Sequence, residues 1–185
     1  YWALSEKQDF HVIPTDTISI SIDKDAVLRS GIMLPDSIRH LKGKELKNAI
    51  PDKIYISLKD MRILTKVDML MLEMLANCNW ERPLYMAISV GEVSKLKFDH
   101  YFVQEGLAFR FTPFDYKKWG NVKGDNNYAI DVERLYENVM NRYKYGGLDT
   151  PGLYLDETTL RTCYYHRRLF AQLAKELIRQ GDNTR

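Results

Sequence analysis

The sequence predicts an α+β fold: a small mixed sheet, a buried helix-to-strand unit at about residues 66–90, and a C-terminal antiparallel helix pair. An α/β arrangement is the alternative. Three observations lead there. Residues 17–22 (TISISI) alternate apolar and hydroxyl side chains, the period of a half-buried strand. Residues 65–90 hold an almost wholly apolar helical stretch that runs into a short apolar strand. The last third carries two helical patterns, each opened by an aspartate and closed by glycine. A division at residue 128 follows, with a mixed α/β domain over 1–128 and a helical pair over 129–185 that could equally pack as one domain with the first.

Residues 1–16 lack periodicity and contain Pro14, so they read as an irregular lead-in. After the strand at 17–22, Asp23 caps a short helix through Arg29, with Gly31 as its stop. Residues 32–53 contain Pro35, Gly43, Pro51 and many charges, a surface excursion with about one helical turn. Two short strands are expected at 54–58 and 61–64, joined through Lys59 and Asp60 as a hairpin loop without its usual glycine.

Thr65 and Asp68 have capping-box spacing, and from 67 to 78 only Asp68, Glu73 and Asn77 are polar. Such a helix is expected to be covered on most sides. Pro83 forbids its continuation and holds Arg82 extended, and residues 84–90 follow as a buried strand ended by Gly91. Strand alternation resumes at 107–112, followed by an aromatic-rich loop over 115–130 with Tyr116, Trp119 and Tyr128. Asp131 caps a helix to about Tyr143, with Val132, Leu135, Tyr136, Val139 and Met140 on its apolar stripe. Asp156 caps a longer one to about Gln180, with Leu160, Leu169, Phe170, Leu173, Ala174 and Leu177 inward.

A formal net charge of +2 with interspersed signs does not make a phosphate-binding surface, so no nucleic-acid partner is expected. Arg161, His166, Arg167 and Arg168 spread over more than one helical face. No apolar run reaches the roughly 20 residues of a membrane span. The chain opens on Tyr-Trp without a signal peptide, which suggests an excised fragment. Cys78 and Cys163 show no ligand spacing, and the four histidines share none, so neither a metal nor a cofactor is expected. Cys78 reads as a small core residue, and pairing of the two is left open. Nucleophile elbows, Walker loops and dinucleotide fingerprints do not occur.

The chemically suggestive group is Trp80, Arg82 and Tyr85 with Tyr101, Glu105 and Arg110, and Trp119 in the following loop. Aromatic faces with directional arginine and glutamate bonds suit a sugar ring. The same residues suit a structural brace better, in which Arg82 pairs with Glu105 and Trp80 fills the space beneath.

Residues 69–87 (MLMLEMLANCNWERPLYMA) and 101–113 (YFVQEGLAFRFTP) resemble two segments of a bacterial family of multi-pass inner-membrane proteins. That family, a domain of unknown function, is similar to protein O-mannosyltransferases of the C-type glycosyltransferase superfamily. The segments read A-x-N-x-W-x-R-P-I-Y-F-A and Y-F-x-x-E-G-L-A-Y-R-L-x-P. Residues 22–28 resemble its V-D-K-E-A-V-L, and residues 154–181 its Y-L-D-E pattern with the helix after it. The likeness covers about residues 17–182, departing at Met86 and Phe109, where Phe and Tyr are usual.

The resemblance implies an extracytoplasmic region at the periplasmic face of the inner membrane in Gram-negative bacteria. Its partner would be the membrane domain of the same polypeptide, with an acceptor protein or glycan as further partners. The catalytic acidic residues of such enzymes lie in loops between membrane helices, so this fragment is expected to be non-catalytic. The last helix resembles the first of a tetratricopeptide-like array. Rival expectations are a carbohydrate-binding module and a protein-interaction scaffold.

Overall fold

The computed structural model describes residues 15–59, 61, 63–90, 96, 98–122, 128–148 and 150–182. The expected α+β class is what forms, with two small sheets in place of one. The first pairs β1 (Thr17–Ser21) with β2 (Lys53–Ser57), antiparallel, with Ser19 opposite Tyr55 and Ile20 opposite Ile54. Alternation does what period 2 demands: Ile20, Ile54 and Ile56 are buried while Ser19, Ser21, Lys53, Tyr55 and Ser57 face out. Between these strands lie α1 (Lys24–Arg29), capped by the Asp23 carboxylate, and α2 (Gly43–Ala49).

The second sheet has the order β3-β5-β4-β6, from β3 (Tyr85–Ala87), β4 (Phe102–Gln104), β5 (Ala108–Phe111) and β6 (Ala129–Ile130). Its first three strands pair antiparallel and β6 runs parallel to β4, so the sheet is mixed. Arg110 stands opposite Tyr85 on one side and Val103 on the other. The sequence pattern misses β4 and β6. Phe102–Gln104 is buried at every position and therefore shows no alternation, and two residues of β6 are too few to show any.

The core is aromatic. Phe111 meets Trp80 in a stacked arrangement at 5.9 Å between ring centroids, and Phe102 and Phe98 edge-on at 5.4 and 5.8 Å. One cluster joins these rings to Ile20, Ile54 and Ile56, so the two sheets share a core. A second cluster holds α4 (Val132–Tyr136) and the helical segment that continues it (Glu137–Arg142) against α5 (Glu157–Gln180), with Val132, Leu135 and Val139 packed with Leu169, Leu173 and Leu177. The pair runs antiparallel: Tyr143, beyond α4, meets His166, whereas Val132 shares a cleft with Arg179 and Gln180.

Helix α3 (Lys66–Asn77) forms with the expected capping box. The Asp68 N–H donates to the Thr65 hydroxyl at 3.2 Å and the Thr65 N–H to the Asp68 carboxylate at 2.8 Å. Its burial corrects the expectation of a covered helix, because only Asp68 and Leu75 are buried while Met69 and Leu70 are 59% and 60% exposed. The helix approaches β1 and leaves its opposite side to solvent; apolar side chains around its circumference do not supply neighbours for every face. Residues 61 and 63–65 form no strand, and the hairpin proposed through Asp60 lies partly outside the described residues.

Candidate functional site

The turn between β4 and β5 carries Glu105, which is 6% exposed. Its carboxylate receives three donors from three elements. The Tyr85 phenol of β3 donates to Oε2 at 2.9 Å, Arg134 Nη1 of α4 donates to Oε1 at 2.8 Å, and Arg110 Nη1 of β5 lies 3.5 Å from that same oxygen. Each arginine also ties in the loop after α1, Arg110 to the Ser30 carbonyl at 2.8 Å and Arg134 to the Gly31 carbonyl. The Arg110 guanidinium lies 6.0 Å from the Tyr85 ring centre, in cation–π range. Charge-assisted bonds of this kind are the strong ones when desolvated. Burial, with the hydrogen bond to Glu105 second, raises the Tyr85 phenol above its ordinary value. Asp131, which caps α4 and lies 3.6 Å from Arg134, is likewise raised, burial outweighing its bond to the Arg134 N–H.

The backbone of this turn is held as firmly as the carboxylate. Asn138 Nδ2 donates to the Glu105 carbonyl at 2.7 Å, and the Leu107 N–H donates to the Tyr143 hydroxyl at 2.9 Å. Gly106 sits at φ 153°, and a Cβ there would overlap the Tyr143 hydroxyl. Asn138 and Tyr143 reach the same turn because α4 continues as a π-helical segment (Glu137–Arg142), closed by the Tyr143 N–H bonding the Asn138 carbonyl at 2.9 Å. In a regular α-helix residues five apart point about 140° away from each other. The wider π turn brings them to one side, and it leaves Met140, expected on the apolar stripe, 52% exposed.

The structure divides the residues singled out from the sequence. Tyr85, Glu105 and Arg110 come together. Trp80 and Tyr101 are buried around Phe111, with the Trp80 Nε1–H donating to the Ser21 carbonyl at 3.0 Å, so neither ring offers a face to a ligand. Trp119 is half-buried, edge-on to Phe114 at 6.3 Å. Arg82 is exposed and outside the cluster: the carboxylate it was expected to meet is occupied by Tyr85, Arg110 and Arg134. Sequence reasoning missed Arg134, Asn138 and Tyr143. Their only signal was polar or phenolic character on a helix whose apolar stripe already had a partner.

Among the described residues, no group of three or more histidine, cysteine or acidic side chains could hold a metal ion, and Cys78 and Cys163 are free thiols. A carboxylate already shared by two guanidiniums and a phenol is a structural junction more than an acid–base group. Phenols raised by burial predict alkaline behaviour. Burial pushes Tyr101 up to about 12 and raises Tyr85 and Tyr116 as well. The folded state thus keeps protons that the unfolded chain releases near pH 10, so their contribution is complete below about pH 10 and is lost as pH rises through about 12. Urea midpoints should fall steadily over that window; a midpoint constant to about pH 11.5 would contradict this assignment.

No helix among the described residues is long and apolar enough to cross a membrane. No curated protein and no solved structure gives a significant match to the chain. A family model does match, over residues 2–133, a span that contains both sheets, the Trp80 corner and the Glu105 turn. The chain belongs to the TMEM260-associated domain 2 family.

Proposed function

We propose that this chain is a non-catalytic, extracytoplasmic accessory domain of a membrane glycosyltransferase-like protein, similar to the O-mannosyltransferases. It would brace the membrane-embedded catalytic part or position an acceptor at the periplasmic face of a bacterial inner membrane. The observation that supports this reading is the fate of the signature residues. Glu105, Arg110 and Tyr85 are spent on one another and on Arg134, and Trp80 fills the core, which leaves a rigid corner in place of a reacting group. Purified domain mixed with polyprenyl-phosphate sugars and acceptor peptides should transfer no sugar. Turnover abolished by mutation within the domain would overturn the reading.

An interaction scaffold is the second reading. It draws on the apolar side chains that α5 leaves exposed, Leu160, Tyr164 and Ile178 at 53%, 62% and 70%. A carbohydrate-binding module has less support, because Trp80 and Tyr101 lie inside and only Tyr85, Arg82 and part of Trp119 reach the surface.

A further inference from the structure

Two helices keep rows of side chains in solvent, and the rows match each other. On α3, Val67, Leu70 and Met74 are exposed and Asn77 continues their line, in steps of three, four and three residues. On α5, Leu160, Tyr164, Arg167, Ala171, Ala174 and Ile178 are all exposed, in alternating steps of four and three. Steps of this kind hold side chains on one line, and they are the spacing at which a second helix packs along the first. The fold uses neither row. Helix α5 packs on α4 through Leu169, Leu173 and Leu177, on its other side, and α3 buries Leu75 and Asp68 on its own.

The rows complement each other in size and in charge. Bulky side chains stand on α3, whereas the middle of the α5 row is Ala171 and Ala174, low ground between Tyr164 and Ile178. The α5 face is also basic. Arg167, Arg168 and Lys175 are exposed and make no ion pair among the described residues, and Glu157, the acid at the start of the helix, is taken by Arg161. On α3 the exposed Glu73 carboxylate accepts from the Asn77 amide and meets no cation among the described residues. Pairing α5 with α5 would set cations against cations, which disfavours a symmetric contact. A bilayer is a poor cover for α5, since Arg167 stands in the middle of its row and the two alanines give little apolar area to insert.

We infer that this chain associates with a second copy of itself, the exposed face of α3 from one copy lying on the exposed face of α5 from the next. With the helices antiparallel the rows mesh in one register. Leu70 falls opposite Ala171, Val67 opposite Ala174 and Met74 opposite Arg167, which brings that guanidinium beside Glu73. Because two different faces are joined, each contact leaves one α3 and one α5 free, and growth continues past the dimer unless a ring closes. The inference rests on the reading of α5 as an interaction face and supplies its partner.

The test is sedimentation velocity of the purified chain at rising concentration, up to about 1 mM, the weak end of specific association. Leu70→Glu and Ala171→Glu are the variants, each at an exposed position on one of the two faces. The parent should sediment faster as concentration rises, past the dimer, while each variant alone stays monomeric. An equal mixture of the two variants should form a dimer and stop there, because the first keeps its α5 face and the second its α3 face. Far-ultraviolet circular dichroism matching the parent shows that both are folded. A parent or a mixture that stays monomeric overturns the pairing. Association lost in Ala171→Glu and kept in Leu70→Glu overturns it too, yet leaves α5 an interaction face, whereas association indifferent to Ala171→Glu sinks both readings. Monomer held through α5 on vesicles of phosphatidylcholine and phosphatidylglycerol, in place of self-association, overturns it in favour of a lipid surface.

Discussion

Glu105→Ala should lower the unfolding free energy by about 3–5 kcal/mol, the range for removing one partner of a buried ion pair and stranding the other. The stranded group is Arg110, 4% exposed, with Arg134 and the Tyr85 phenol losing their acceptor as well. Against a total stability of about 5–15 kcal/mol for an ordinary domain, that loss approaches unfolding. Glu105→Gln keeps the shape and an acceptor oxygen, so it should cost less than Glu105→Ala while still weakening both arginine contacts. Urea unfolding of the three proteins, compared at equal m-value, is the measurement. A Glu105→Ala protein within about 1 kcal/mol of the parent would show that the junction does not hold the sheet to α4 and the loop after α1.

Gly106→Ala should be nearly as damaging, at about 2–4 kcal/mol, for a different reason. The position needs φ 153°, which side chains rarely adopt, and the new methyl would overlap the Tyr143 hydroxyl and displace it from the Leu107 N–H. The cause can be separated from general fragility by a double-mutant cycle with Tyr143→Phe. Phenylalanine removes the clashing oxygen and leaves the methyl 3.1 Å from Cζ, tight but able to relax. The two changes together should therefore cost about 1 kcal/mol less than their sum. Strict additivity would mean that the backbone conformation alone, with no contribution from Tyr143, requires glycine.

Much of the fold was legible wherever the determining interaction is local. The aspartates and threonine that open helices do so through bonds to amides two or three residues on, as at Asp23, Thr65, Asp131 and Asp156, and Gly181 ends α5 at φ 77°. The alternation of residues 17–22 likewise reads directly onto β1. What failed depended on distant neighbours. The α3 composition suggested cover on all sides, yet nothing in a single chain's pattern says whether another element will lie over Leu70 and Met74. The partition into two sheets, with residues 61, 63 and 64 outside both, is a tertiary outcome of the same kind.

At the site, the expected brace paired Glu105 with Arg82, 23 positions before it, whereas the fold supplies Arg134, 29 positions after it. The residue types were right for a brace and the partner was not, because no spacing rule links a β-turn to a helix beyond the next loop. Trp80 shows the converse. Its size and indole N–H suit a binding platform as well as a core, and only the Ser21 carbonyl and the Phe111 ring decide between them.

The π turn in 137–142 has a consequence for how this stretch tolerates change. Its extra residue per turn sets the angular phase of everything after it, so Tyr143 arrives over Gly106 only when the count from Asn138 is kept at five. Substitutions at the exposed positions of the segment leave that phase alone. A single-residue deletion would restore ordinary helical winding and swing the chain beyond it by about 100°, carrying Tyr143 away from the turn. The length of this segment is therefore a more stringent inheritance than its spelling, and length variation among relatives is expected on either side of it before within it.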